Sequence, residues 1–187
     1  MRHATDIGRT RIVRTLVVAA LVVCMLPFAD PARAAEPVKI AFVDTGNTGR
    51  SVTAEALASA MIGDEHLPVA VISRAVDLDP FSIQPEANAA ALLMEHGIDV
   101  STHRAAQLDA QDIRHADLIL TMTAKHRDRV VAQFPDAAAK TFTIADYATG
   151  KPADVVDAYG KPMDVYQQVF EQISQYIPLV LEKSVRK

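Results

Sequence analysis

The feature that most constrains this chain is a short β-rich run that breaks into a glycine loop and then into a helix. Val38 to Val43 reads V-K-I-A-F-V, Thr45-Gly46-Asn47-Thr48-Gly49 is polar and turn-forming, and apolar residues then recur at helical spacing. Ala54, Leu57, Ala58 and Met61 make that helical face, and Ser51 suits its N-cap. Strand, polar glycine loop and helix follow one another in this order at the ligand sites of parallel α/β sheets.

The rest of the chain repeats the alternation. Val69 to Ile72 predicts a second strand, and Pro85 opens a second helix with Ala89, Leu92 and Leu93 inward and Gly97 closing it. Asp117 to Met122 is a continuous apolar strand suited to the middle of a sheet. A helix over Lys125 to Phe134 stops at Pro135, and Thr141 to Ile144 predicts a fourth strand. Tyr147 to Pro162 is rich in Gly, Pro and Asp without periodicity and reads as a functional loop. Met163 to Lys183 is amphipathic, with Tyr166, Val169, Phe170, Ile173 and Ile177 on one face and a kink expected at Pro178. Strands alternating with helices predict a three-layer α/β/α domain with a four-stranded parallel sheet.

Residues 1–34 read as a secretory signal peptide, leaving 35–187 as the mature domain. Arg9, Arg11 and Arg14 precede an apolar run from Leu16 to Phe28, and Ala32-Arg33-Ala34 supplies the small residues of a cleavage site. The run is short for a permanent membrane helix. Cys24 lies behind Val22 and Val23, where a lipidated cysteine needs small residues, so a lipid anchor is not expected. Losing this leader takes away five arginines and two aspartates, and the formal charge of −4 becomes −7. An acidic domain without a basic run is a poor match for nucleic acid or anionic lipid. Cys24 is the chain's one cysteine, so the mature domain has no disulfide, thiolate nucleophile or cysteine metal site. No metal site or cofactor is expected, the location is periplasmic or secreted, and nothing in the sequence speaks to oligomeric state.

Asp44-Thr45-Gly46-Asn47-Thr48-Gly49-Arg50-Ser51 has the parts of an anion nest. Glycines let successive amides turn toward one point, the helix N-terminus adds its positive end, and Arg50 can grip an oxyanion. Taken alone, such a loop is read equally well as a structural turn. Its surroundings add to it: the segment from Val43 to Ser51, followed by Ala54-Glu55-Ala56-Leu57, resembles the signature of the low-molecular-weight protein tyrosine phosphatases, V-C-x-G-N-x-C-R-S leading into a helix with A-E-A. The likeness continues through His96-Gly97-Ile98-Asp99 with Ser101 and His103, Ala116 to Met122, and Phe134-Pro135. It closes at Asp154 to Gly160, where the family has D-x-x-D-P-x-G.

The resemblance implies phosphomonoester hydrolysis through a cysteinyl-phosphate, with the nest, Thr45 to Ser51, holding the phosphoryl oxygens. On it, Arg50 matches the phosphate-binding arginine, Ser51 the loop hydroxyl, Asn47 the loop brace, Asp157 the general acid and Tyr159 the aromatic at the pocket rim. Three positions depart from the pattern: Asp44 stands for the nucleophilic cysteine, Gly49 for the second loop cysteine and Ala158 for the proline after the acid. Converging amides favour an anion at the base of the nest. Here that anion is a carboxylate, bulkier than a thiolate, with Arg50 as its expected partner.

The resulting expectation is a catalytically impaired pseudophosphatase that binds a phosphate-like anion, or a protein partner, through the Asp44–Ser51 loop. The alternative is an active hydrolase with Asp44 as nucleophile and Asp157 as general acid, since carboxylates form acyl phosphates in other phosphotransferases, usually with Mg²⁺. Arsenate reduction needs several redox cysteines and is excluded. His103 and Arg104 read as structural or solvated, Glu55 as a brace of the first helix, and His126 to Arg129 as an ordinary charged helix face.

Overall fold

A computed structural model of the chain describes residues 36–186, and the signal peptide expected over 1–34 lies outside them. Four strands, β1 Val38–Asp44, β2 Val69–Ala75, β3 Leu118–Thr121 and β4 Thr141–Thr143, form one parallel sheet in the order β2-β1-β3-β4. β1 is paired along both edges, its Val43 opposite Arg74 on one side and Thr121 on the other.

Alternation along the strands explains the layers. Ile40, Phe42, Leu118 and Leu120 point to one face, where they pack with residues of four helices, α1 Arg50–Glu65, α2 Ala87–Glu95, α5 Ile144–Thr149 and α6 Met163–Val185. Ala41, Val43 and Ile119 point to the other face, toward Ile113 of α3 Ala110–His115 and Val130 of α4 Ala124–Gln133. Phe42 is fully buried, and such a side chain contributes about 1.5–3 kcal/mol.

Local chemistry sets the element ends. α2 closes in a Schellman motif, with Gly97 at φ +77, its amide bonded to the Met94 carbonyl and the Ile98 amide to that of Leu93. Asp109 and Asp112 form a reciprocal capping box at the start of α3, the polar helical turn ahead of β3. A 3-10 helix, Pro135–Lys140, precedes β4. α5, Ile144–Thr149, corrects the expected strand end and the first residues of the expected loop: the Thr143 hydroxyl accepts from the Asp146 amide and starts a helix there. α6 runs on through Pro178.

Candidate functional site

The loop between β1 and α1 begins on a strand paired along both edges and ends on a helix that Ser51 does not cap. Gly49 is the N-cap and gives no side-chain bond. The carboxylate of Asp44, 3% exposed, serves instead: Oδ1 accepts from the Asn47 amide at 2.6 Å and Oδ2 from the Ser51 amide at 2.9 Å. A buried carboxylate at the base of the loop is thus satisfied by the loop's own donors.

Asn47 holds the loop open from behind. Its φ of +57 lies in the left-handed region, which asparagine tolerates better than most residues. Its side chain donates to the hydroxyls of Ser51 at 3.0 Å and Ser73 at 2.8 Å and accepts from the Ala106 amide at 3.0 Å. Ser73 in turn donates to the Glu55 carboxylate. His103 Nε2 donates to the Asn47 carbonyl at 3.0 Å, which fixes the ring's tautomer. His103 and Glu55 therefore brace the loop. The amides of Gly46, Thr48 and Gly49 meet no acceptor among the described residues.

Arg50 is turned away from its expected partner. Buried to 8% exposure, it donates through Nη1 to the Val155 carbonyl at 3.2 Å and pairs through Nη2 with Asp157 Oδ2 at 3.2 Å. The pair with Asp157, rather than with Asp44, ties the late loop to the nest. Asp157 Oδ1 accepts from the Tyr159 amide at 3.2 Å, and Tyr159 stands 69% exposed at the rim. Ala158 between them is buried.

Three neighbours complete the site. His126 is buried, against the charged-surface reading, and its Nε2 lies 2.9 Å from the Thr45 hydroxyl. Burial, then the nearby Arg50 charge, holds this imidazole below its ordinary pKa, so it favours the neutral form. Glu86, the N-cap residue of α2, accepts from the Thr48 hydroxyl at 3.2 Å and from the Tyr166 hydroxyl. Burial and that bond push the Tyr166 hydroxyl pKa up, which keeps it a donor. Gly49 makes room for Glu86, since a Cβ at position 49 would stand 2.5 Å from Glu86 Oε1.

A cavity of about 270 Å³ lies over the loop, lined by Asp44, Thr45, Gly46, Thr48 and Arg50 together with Asp77, Asp79, Ser82, Glu86, Asp157 and Tyr159. The structure brings the sequence-predicted residues to one place, with Asn47, Gly49 and Ser51 supporting it from outside that lining. Asp77, Asp79, Glu86, His126 and Tyr166 were missed because they come from distant segments without a local motif. Among the described residues, no group of three or more His, Cys, Asp or Glu side chains is placed to hold a metal ion.

A four-stranded parallel sheet with such a loop after its first strand defines the low-molecular-weight phosphatase class, and the family model described as "Low molecular weight phosphotyrosine protein phosphatase" matches residues 39–187. The chain belongs to this family. The protein-arginine-phosphatase of Geobacillus stearothermophilus is 33% identical over 147 residues, covering 79% of this chain and 96% of the relative. The low molecular weight protein-tyrosine-phosphatase PtpB of Staphylococcus haemolyticus is 36% identical over 137 residues, 73% of this chain and 92% of the relative. Among solved structures, a YwlE mutant from Bacillus subtilis superposes with a TM-score of 0.76 at 33% identity, covering 80% of this chain and 99% of that one.

Proposed function

We propose that this chain is a pseudophosphatase, a member of the family that keeps the loop as a binding site without turning over phosphomonoesters. The carrying observation is the Asp44 carboxylate, bonded to the Asn47 and Ser51 amides in the position that the resemblance gives to the nucleophilic cysteine. A carboxylate held in that way by two amides is a poor nucleophile toward another anion.

Of the two ligands considered, a phosphate-like anion or a protein partner, the geometry favours the partner. The nest retains amide donors at Gly46, Thr48 and Gly49, each worth about 1.5–3 kcal/mol to a charged acceptor. Against them, a dianionic phosphate about 4 Å from Asp44 meets roughly 8 kcal/mol of repulsion at an effective dielectric of ~20, enough to cancel what the three donors supply. Arg50, which would offset this, is already paired with Asp157. The relatives' phosphorylated tyrosine and arginine residues are therefore weaker candidates than an unphosphorylated partner. A secretory leader in residues 1–34 is part of the same reading and would carry this binding protein out of the cytoplasm; a mature N-terminus near Ala35, read by sequencing the fractionated protein, is the expected result.

The deciding experiment is hydrolysis of an aryl phosphate, with and without Mg²⁺, by the wild type, Asp44→Ala and Asp44→Cys. Wild type and Asp44→Ala should show the same background, whereas Asp44→Cys should gain ~100-fold or more, since the amide donors of the nest and the carboxylate at the general-acid position are in place. Wild-type turnover that Asp44→Ala abolishes would establish Asp44 as nucleophile with Asp157 as acid.

A further inference from the structure

The cavity over the loop has an unusual charge balance for a site built from an anion nest. Its lining carries the carboxylates of Asp44, Asp77, Asp79, Glu86 and Asp157. Two guanidinium groups meet them: Arg50 on Asp157, and Arg129, whose Nη2 lies 2.9 Å from Asp77 Oδ2. Among the described residues, Asp44, Asp79 and Glu86 have no cationic partner, Asp44 being matched by the amides of its own loop instead.

Glu86 is the most firmly placed of these three. Its amide donates to the Thr48 carbonyl at 2.8 Å, and its two carboxylate oxygens each accept one hydroxyl, from Thr48 and Tyr166. A carboxylate offers about four acceptor sites, so half of this one's capacity is open. The missing side chain at Gly49 is what allows the carboxylate to stand against the loop. Position 49 and position 86 together turn the cradle wall acidic.

Large apolar groups stand beside this acidic pocket. Phe81, 97% exposed, sits in the chain between the lining residues Asp79 and Ser82, and Tyr159 is 69% exposed on the late loop. Exposed aromatic side chains near an open acidic pocket suit a long basic side chain, whose methylene stem and charge both gain from the rings. They also give apolar residues on either side of that basic group something to cover.

We propose that this pocket receives a lysine or arginine side chain presented by an extended segment of a partner protein, with Glu86 as its main acceptor and Phe81 and Tyr159 against the flanking residues. The proposal rests on the reading of the loop as a retained, non-hydrolytic binding site, and it differs from that reading in naming a cationic, unphosphorylated contact. Charge complementarity sets the choice: the lining carboxylates outnumber the guanidinium groups that meet them five to two, so a basic segment offsets that excess, whereas an acidic or phosphorylated one adds to it.

The test is fluorescence anisotropy of the purified full chain with labelled peptides carrying a central arginine between leucines, and matched peptides with glutamate or phosphotyrosine at the centre. The arginine peptide should bind at least tenfold more tightly than either, with affinity falling as salt rises. Glu86→Gln should weaken it at least tenfold. Asp79→Asn, whose carboxylate bonds to the Phe81 amide of its own loop, should weaken it several-fold and guards against a folding defect at Glu86. Equal or tighter binding of the phosphotyrosine peptide or of inorganic phosphate overturns the proposal, as does an arginine peptide indifferent to both substitutions. Aryl phosphate hydrolysis that depends on Asp44 would instead overturn the non-hydrolytic reading beneath it.

Discussion

At the scale of the residue, the contact between Gly49 and Glu86 is the most exacting. A methyl group at position 49 must displace the Glu86 carboxylate from Thr48 and Tyr166, so Gly49→Ala should destabilise the fold by about 1–3 kcal/mol in denaturant melts. In the double variant with Glu86→Ala the cost should shrink, giving a coupling of about 1 kcal/mol or more. One consequence concerns reversal: a cysteine can be restored at position 44 alone, but one at position 49 requires Glu86 to move as well. His126 gives a second prediction. Its folded-state pKa lies below the ordinary histidine value, so below pH ~6.5 the unfolded chain takes up more protons and stability falls with pH. That acid-side loss, read from melts at pH 7 and pH 5, should diminish in His126→Gln. The sequence hid this residue inside Lys125-His126-Arg127-Asp128-Arg129, where a buried imidazole and a solvated one look alike. Glu86 was hidden for another reason, because its partners lie 38 and 80 residues away.

At the scale of the element, the long pieces were legible and the short ones were not. β1, α1 and α6 carry enough residues for their periodicity to declare them, and the loop after β1 declares itself by glycine and charge. α3 and α5 span six residues each, too few for a repeat, and only their caps at Asp109 and Thr143 mark them. The helix start at Ser51 was misassigned because its cap comes from a carboxylate seven residues upstream, outside any local capping pattern. α6 bears on stability through Pro178, which cannot donate to the Ser174 carbonyl one turn earlier and yet lies within the helix. Pro178→Ala should restore that bond and raise stability by about 1–3 kcal/mol, seen as a higher denaturant midpoint with an unchanged slope.

At the scale of the whole molecule, the parallel sheet and its two covered faces followed from the alternation of strands and helices, whereas the acidity of the cavity did not. That acidity gathers residues from the segment after β2, the start of α2 and the late loop, and their proximity is a property of the fold. The position of β1 then has a practical meaning. Its residues are zipped to β2 along their whole length and to β3 over four positions, so the loop that springs from its end loosens when the sheet itself opens. Occupancy of the cavity is thereby coupled to the survival of the entire domain. A ligand present at a hundred times its Kd should shift the melting transition upward by roughly 5–10 °C, so a simple heating curve becomes a screen for partners, with the central strand as the reporter.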